Sequence, residues 1–268
     1  MVQRVHLLCL LSVAVLAACG EPLATAEPIF LQATGSTAMM PLVSELAAAF
    51  GEQSTAVSLE VTGLGTHYGL EALRRGEADL ALASWLPEDL DPDWQAVAIA
   101  RDGIAVIVHP VNSVDGLGLL QLQDLFSGRV DEWEAVGGRR TQGVVQPVSR
   151  EEGSGTRMGF EALVMEERQV TPLAVVAASS QAVVEYVAGH PNAIGYVSMG
   201  YVSPEVKALK IEGELPTPET AGRGSYPLTR ELWLVTPAPP SEAVQAFVDF
   251  ALGPAGQQIA GQRYGRIR

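Results

Sequence analysis

From Ile29 onward, short apolar runs of strand length alternate with segments of helical periodicity. The run 104–108 predicts a continuous apolar strand, and residues 78–84 predict another buried strand. Strands that alternate with helices are typical of an α/β fold and not of a β-sandwich. One helix face is already visible near the start, in apolar residues at helical spacing: Met39, Leu42, Val43, Leu46 and Phe50.

The same alternation continues to the end of the chain. Its first part predicts a helix that starts near Ala38, an alternating strand over 57–61 and a helix that Gly76 ends. Residues 213–227 are rich in Pro, Gly and Thr and predict a loop. The further predicted helices cover 119–126, 156–166, 181–187 and 242–252, and the further strands cover 144–148, 173–177, 193–197, 206–211 and 232–235.

Length and composition divide these elements between two lobes. The chain has 268 residues, enough for two lobes of about 120 residues each. It is 47% hydrophobic and 18% charged, so it can bury real cores, and disordered, collagen-like and coiled-coil proteins are excluded. The segment 109–112 (His-Pro-Val-Asn) breaks a strand and predicts a crossing between the lobes. Lobe 1 is then predicted to comprise residues 29–108 and 234–268, and lobe 2 residues 109–233.

The charge balance disfavours some partners. The chain carries 31 acidic and 17 basic residues, a formal net charge of −14. A protein that coats nucleic acid needs the opposite balance, so we predict no nucleic-acid partner. An acidic surface also disfavours a polyanionic partner, although one small anion can still be held in a local pocket.

The N-terminal residues are typical of an export signal. The apolar run 5–16 is too short to span a bilayer as a helix. The tetrapeptide 16–19 (Leu-Ala-Ala-Cys) resembles the lipobox of bacterial lipoproteins, where cleavage leaves a diacylglycerol on the cysteine. We therefore predict a signal peptide over 1–18, a tether over 19–28 lipidated at Cys19, and an exported protein anchored to the cell membrane, facing the periplasm or the cell exterior. An ordinary signal peptide with an incidental cysteine is the alternative.

Three segments share one design, in which a strand ends in a small polar loop that opens a helix. They are residues 34–37 (Thr-Gly-Ser-Thr), 62–66 (Thr-Gly-Leu-Gly-Thr) and 149–156 (Ser-Arg-Glu-Glu-Gly-Ser-Gly-Thr). Unpaired amides and the positive end of the helix dipole face such a loop, and Ser or Thr adds a hydroxyl donor. Helix capping alone explains any one of them. Three such loops, with Arg150 beside the third, predict a site for an anion at the carboxyl ends of the strands.

These residues resemble the PstS-type phosphate-binding lipoproteins of ABC importers, which belong to the type II periplasmic solute-binding family. The resemblance implies two α/β domains joined by two crossover strands, with phosphate in the cleft between them. It covers nearly the whole predicted mature chain. It is carried by 35–37 (Gly-Ser-Thr), Phe126-Ser127-Gly128, Trp133, Gly137-Gly138, Arg150, 153–157 (Gly-Ser-Gly-Thr-Arg), Phe160 and 193–197 (Ala-Ile-Gly-Tyr-Val).

Carried over position by position, the resemblance implies a set of phosphate-binding residues and a partner. Arg150 is expected to be the only fixed cation near the anion, because Arg157 can pair with Glu161 instead. The partner is a set of ABC permease subunits in the membrane, to which a monomeric receptor delivers phosphate. The implied phosphate-binding residues are Ser36, Thr37, Ala38, Thr66, Ser84, Arg150, Ser154, Gly155 and Thr156.

One position departs from the pattern of the family. Relatives commonly place Asp or Arg at or just after the serine that corresponds to Ser84, and here Trp85 follows. Such an Asp accepts a hydrogen bond from protonated phosphate and repels sulfate. Glu88 or Asp89 could supply a carboxylate from the next loop, or both lie on the surface; His67 is either a further polar contact or solvated. A receptor for sulfate or another tetrahedral oxyanion is therefore an alternative, and so is an anion-sensing or adhesive surface lipoprotein.

Catalytic, metal and dinucleotide sites find little support in the sequence. The segment 153–155 (Gly-Ser-Gly) lacks the Gly-x-Ser-x-Gly elbow, because residue 152 is Glu. After removal of the signal peptide, three scattered histidines and one cysteine form no metal-ligand spacing and no disulfide. The glycines at 63, 65 and 69 miss the dinucleotide fingerprint by one residue. We therefore predict a binding protein with no enzymatic activity, metal or cofactor.

Overall fold

The protein is described by a computed structural model over residues 28–54 and 56–267, with only the backbone of Gln142. The predicted signal peptide, Cys19 and most of the predicted tether lie outside the described residues. Within them, the strands are β1 Ile29–Gly35, β2 Val57–Gly63, β3 Leu80–Ala83, β4 Trp94–Val108, β5 Gly116–Leu117, β6 Gln146–Arg150, β7 Val175–Ala177, β8 Ala193–Ser198, β9 Lys207–Ala208, β10 Lys210–Ile211 and β11 Thr229–Pro237. The helices are α1 Met40–Gln53, α2 Thr66–Arg74, α3 Leu119–Ser127, α4 Gly155–Phe160, α5 Ser180–Gly189, α6 Pro218–Arg223, α7 Glu242–Leu252 and α8 Pro254–Arg263.

Nine strands form one sheet in the order β2-β1-β3-β11-β4-β8-β6-β7, with β9 beside β4. β1 is parallel to β2 and β3, and β6 is parallel to β7 and β8. β4 and β11 run antiparallel to each other and to their other neighbours. We call the half β2-β1-β3-β11 with its helices lobe 1, and the half β8-β6-β7 with its helices lobe 2. The predicted two-lobed α/β fold is confirmed.

β4 belongs to both lobes. Its first part pairs with β11 as far as Gly103, and its second part pairs with β8 from Ile104 onward. The strand therefore changes partner at residues 103–104, before the break at His109 that predicts the crossing. The proline after His109 ends the strand, but the apolar run 104–108 already lies in the sheet of lobe 2. The division of the chain at 108/109 and 233/234 stays a prediction.

Helices pack on the sheet, and the two lobes share part of their core. α1 packs against β2, α2 against β3, and α5 against β8. A single group of buried apolar side chains contains Leu31 and Leu82 of lobe 1 together with Val148 and Val183 of lobe 2. Because apolar surface from both lobes is removed from water in one continuous group, the lobes are held against each other.

Four differences from the prediction concern whole elements. The first half of β4 was not predicted, since Arg101 and Asp102 interrupt its apolar pattern. The predicted loop 213–227 contains α6, which Thr217 caps and which has a proline in its first turn. The closing helix α7 is followed by α8, which begins at Pro254. The predicted strand 206–211 is divided into β9 and β10.

Gly69 allows α2 to pack closely against the end of β1. A Cβ atom at residue 69 would lie 2.6 Å from Gly35 Cα and against the carbonyl oxygen of Thr34. Backbone atoms of a buried strand cannot move aside as a flexible side chain can. Only glycine at residue 69 therefore lets the first turn of α2, with Thr66, reach the loop that follows β1.

The Gly69→Ala variant is expected to lower the free energy of unfolding by about 1–3 kcal/mol, the usual cost of overpacking a filled interior. The matched control is Gly51→Ala in α1, where a Cβ atom would meet nothing within 4 Å. That variant is expected to raise the free energy of unfolding by about 0.5–1 kcal/mol, because alanine favours the helix. Urea unfolding of both variants measures the difference; a Gly69→Ala protein as stable as the wild type would contradict the close packing.

Candidate anion-binding site

The lobe 1 side of the site consists of three loops that end β1, β2 and β3. Ser36 Oγ lies 2.7 Å from Ser84 Oγ and accepts a hydrogen bond from the Ala38 amide. Thr66 Oγ1 accepts from the Ser84 amide at 3.3 Å. The side chains of Ser36, Thr66 and Ser84 are at most 2% exposed. Four of the predicted lobe 1 residues thus form one buried hydrogen-bonded group.

The lobe 2 loop after β6 meets this group directly. Ser154 caps α4 by accepting a hydrogen bond from the Arg157 amide. A Cβ atom at Gly155 would lie 2.6 Å from Ser84 Oγ and closer still to Thr66 Oγ1, so only glycine allows this contact. The amide of His67 also donates to the carbonyl oxygen of Gly153 across the cleft, at 3.1 Å. Three predicted loops therefore face one another, as the sequence predicts.

Arg150 is the charged centre of the site. Its guanidinium, 1% exposed, donates from Nη2 to Thr37 Oγ1 and from Nη1 to Ser180 Oγ, both at 3.1 Å. Glu151 accepts two hydrogen bonds from Nε and Nη2 of the same guanidinium, each at 2.8 Å. The cation thus lies between a partly exposed carboxylate and two buried hydroxyl groups.

The contacts with Arg150 determine what the two hydroxyl groups can bind. Thr37 Oγ1 and Ser180 Oγ lie 3.3 Å apart, and each accepts a hydrogen bond from the guanidinium. A hydroxyl group has one hydrogen, and when its oxygen accepts from a cation that hydrogen points to another acceptor. The two hydroxyl groups are also hydrogen-bonded to each other, so one hydrogen is used within the pair and the other can donate outside it. Together with the charge of the guanidinium, this donor favours an anion.

Tyr201 and Tyr196 hold the walls of the site in place. Tyr201 Oη of lobe 2 donates to the carbonyl oxygen of Thr37 at 2.7 Å, a further hydrogen bond between the lobes. Tyr196 Oη lies 2.8 Å from Ser149 Oγ and accepts from the Arg150 amide at 3.3 Å. Burial of the phenol raises the pKa of Tyr196 to about 12.

Thr156 contacts a second buried arginine. Its Oγ1 accepts at 3.0 Å from Nη2 of Arg230, and Nη1 of the same arginine donates to the carbonyl oxygen of Gly155 at 3.2 Å. Arg230 forms a buried ion pair with Asp102 at 2.9 Å. Arg230 is thus a second buried arginine beside the predicted anion-binding loop of lobe 2, with its charge paired to Asp102. That Arg150 is the only fixed cation near the anion stays a prediction. Arg230 lies 128 positions from Asp102, and no local pattern links the two residues.

Ser180 is the member of the site that sequence reasoning missed. It starts α5 directly after Ser179, whose side chain caps the helix by accepting from the Ala182 amide. The predicted strand 173–177 and helix 181–187 flank this polar segment. The signal was present, because a strand, a small polar loop and a helix follow one another here for a fourth time.

The other candidates lie outside this group. His67, Glu88 and Asp89 are exposed, which agrees with their surface alternative. Trp85 is partly buried, and a Cβ atom at Gly159 would lie 3.0 Å from its ring. Arg157 forms the expected ion pair with Glu161 at 2.8 Å.

Over residues 28–54 and 56–267, no group of three or more His, Cys, Asp or Glu side chains could hold a metal ion. In the same residues, no helix combines the length and the apolar character that a membrane span requires.

Comparison with known proteins identifies the family. Residues 21–255 match the family described as the PBP superfamily domain. The chain belongs to this superfamily. It is 27% identical over 225 residues to the phosphate-binding protein PstS of Bacillus subtilis, covering 82% of this chain and 74% of PstS.

Solved structures of similar proteins have the same fold. A candidate substrate-binding protein of a phosphate ABC transporter from Clostridium perfringens, solved with bound phosphate, has a TM-score of 0.85 and 31% identity, covering 89% of this chain and 100% of that chain. An ABC-type phosphate transport receptor from Vibrio cholerae has a TM-score of 0.72 and 28% identity, covering 88% and 99%. The type II periplasmic-binding-protein fold that the sequence predicts is confirmed.

High pH is expected to destabilise the protein in part through Tyr196. Its folded pKa of about 12 exceeds the ordinary value of 10.0, so the native state holds the phenol proton more tightly than the unfolded chain does. This stabilisation is complete below pH 10 and is lost as the pH rises from 10 through 12. Between pH 9 and 11.5 the stabilisation lost from this group amounts to about 2 kcal/mol.

Urea unfolding at both pH values measures this loss in the wild type and in Tyr196→Phe. The variant is expected to lose about 2 kcal/mol less than the wild type, because it has no phenol proton at this position. Tyr68→Phe, at a side chain that is 56% exposed, is the control and is expected to follow the wild type. An identical loss in Tyr196→Phe and the wild type would contradict the role of Tyr196.

Proposed function

We propose that this chain is an extracytoplasmic receptor that binds inorganic phosphate between its two lobes and delivers it to the permease subunits of an ABC importer. One observation carries the proposal most directly. Helix-opening loops of both lobes meet around the buried guanidinium of Arg150, which binds Thr37 of lobe 1 and Ser180 of lobe 2. Related proteins whose names state phosphate binding or phosphate transport support the choice of ligand.

The chemistry of the cleft suits a small tetrahedral oxyanion. Helix starts at α2 and α5 contribute amides and the positive ends of their dipoles, and the hydroxyl groups around them can donate hydrogen bonds. Arg150 adds a charge-assisted contact. The proposed phosphate-binding residues are the predicted set with Ser180 added: Ser36, Thr37, Ala38, Thr66, Ser84, Arg150, Ser154, Gly155, Thr156 and Ser180.

Within this set, each residue type has its own role. Ala38 and Gly155 donate backbone amides, and Gly155 also lets the anion approach the chain without a Cβ atom in the way. The hydroxyl groups of Ser36, Thr37, Thr66, Ser84, Ser154 and Thr156 donate to the phosphate oxygens. Binding is followed by release to the permease and involves no covalent step, so the protein acts as a transport receptor and not as an enzyme. We further propose that it works as a monomer.

The proposed ligand is tested by calorimetry with phosphate, sulfate and molybdate. Phosphate is expected to bind most tightly. Because Trp85 follows Ser84, sulfate is the competing ligand, and tighter binding of sulfate would show that the receptor serves another oxyanion. Binding of none of the three anions at millimolar concentration would contradict the proposed function. Loss of phosphate uptake in a deletion strain would distinguish transport from an anion-sensing or adhesive role.

Replacement of Arg150 by Ala is expected to weaken phosphate binding by at least about 100-fold, corresponding to roughly 3 kcal/mol, because a desolvated oxyanion loses a buried charged donor. Arg223→Ala is the control, since Arg223 is exposed and pairs with Glu219 on the surface of α6. Calorimetry of both variants checks the effect. Normal phosphate binding by a folded Arg150→Ala protein would show that the site lies elsewhere.

The proposed location at the membrane depends on lipidation of Cys19. Cys19→Ser is expected to move the protein from the membrane fraction to the soluble exported fraction, because serine cannot accept the thioether-linked lipid. Detergent partitioning and immunoblotting of cell fractions measure this change. Ser54→Ala, distant in the sequence from the predicted lipobox, is the control. A wild type that is already in the soluble exported fraction, with no change in the Cys19→Ser protein, would favour the alternative of an ordinary signal peptide with an incidental cysteine.

A further inference from the structure

A buried ion pair joins β4, which belongs to both lobes, to β11 of lobe 1. Asp102 of β4 and Arg230 of β11 are directly paired residues in the sheet, immediately before β4 changes partner at Ile104. Arg230 donates to Asp102 Oδ2 from Nε at 3.1 Å and from Nη2 at 2.9 Å. The two side chains are 1% and 0% exposed. The pair therefore lies at the point where a change in the angle between the lobes would bend β4.

From this point Arg230 reaches the anion-binding loop of lobe 2. Its Nη1 donates to the carbonyl oxygen of Gly155, and its Nη2 donates to Thr156 Oγ1. The Gly155 peptide is thereby fixed where it packs against Thr66 and Ser84. The Thr156 hydroxyl, which accepts from a cation, keeps its own hydrogen for another acceptor.

A second set of hydrogen bonds links Asp102 to the Thr37 loop of lobe 1. Asp102 Oδ1 accepts from Ser198 Oγ at 2.8 Å and from the Met199 amide at 3.1 Å. These residues open the 3-10 turn Met199–Tyr201. Tyr201, at the end of this turn, donates to the Thr37 carbonyl oxygen. The ion pair is thus linked to anion-binding loops of both lobes.

Stability alone does not account for such a pair. Burial raises the pKa of Asp102 against the opposing effect of Arg230, and burial lowers the pKa of Arg230. Replacing a buried ion pair by well-packed apolar residues is often neutral or stabilising. The pair instead fixes the positions of neighbouring residues, because the forked guanidinium of Arg230 contacts Asp102, Gly155 and Thr156 at once.

We infer that Arg230 and Asp102 are positioning residues for anion binding, which hold the start of α4 and the Met199–Tyr201 turn in the binding geometry without contacting the anion. This inference rests on the proposed function. A lysine at residue 230 would preserve the charge opposite Asp102. Its single ammonium group cannot reproduce the fork that also reaches Gly155 and Thr156.

The Arg230→Lys variant tests the inference. Its affinity for inorganic phosphate is expected to fall roughly tenfold, the effect of losing one or two hydrogen bonds, while the unfolding midpoint without phosphate stays near that of the wild type. A purely structural role would instead lower the unfolding midpoint and leave the affinity of the folded fraction unchanged. Arg223→Lys, at the exposed pair with Glu219, is the matched control and is expected to change neither quantity.

Ser198→Ala provides a second variant in case Arg230→Lys does not fold. It removes a donor to Asp102 and leaves both charges in place; a loss of phosphate affinity of at least about threefold is expected. Unchanged affinity in folded Arg230→Lys, or in Ser198→Ala where the former does not fold, would overturn the inference. If the wild type binds sulfate and not phosphate, the proposed ligand is wrong, and the same comparison with sulfate tests the inference. Binding of neither anion by the wild type would overturn both.

Discussion

The closed cleft depends on how the buried charge of Arg150 is compensated. A guanidinium removed from water needs hydrogen-bond acceptors on all sides. Glu151 supplies a carboxylate, while Thr37 and Ser180 supply hydroxyl oxygens from opposite lobes. Because two of these acceptors come from different lobes, solvation of this one cation requires the lobes to approach each other. The same contacts direct the hydroxyl hydrogens away from the cation, and the hydrogen that is not used between Thr37 and Ser180 stays available to an anion.

Arg150 and Arg230 are both buried, but their carboxylate partners differ in exposure to water. Arg230 is paired with Asp102, which is fully buried, so its charge is neutralised inside the protein. Arg150 is paired with Glu151, whose side chain remains 25% exposed. Water stabilises the partly exposed Glu151 carboxylate in addition to the cation, which leaves more of the charge of Arg150 available to a bound anion.

The sequence predicts mainly those parts of the site that depend on residues close together in the chain. Ser36, Thr66 and Ser154 follow strands that the sequence pattern predicts, and parallel strands bring their carboxyl ends to one edge. Ser180 carries the same local signal and was overlooked. The pairing of Asp102 with Arg230 depends on the register of two strands far apart in the chain, which no local pattern contains. The change of partner within β4 is hidden for the same reason, because a continuous strand shows no break where its neighbours change.

The contacts between the lobes also suggest why an anion can control the angle between them. The cleft is closed by a few direct hydrogen bonds, among them those from Tyr201 to Thr37, from Arg150 to Thr37 and from His67 to Gly153. Each such bond contributes about 1 kcal/mol once its exchange with water is counted. These bonds add to the buried apolar group that the lobes share, and each can be exchanged for a bond to water when the cleft opens. A ligand that binds both walls can therefore shift the population towards the closed state by its differential affinity alone.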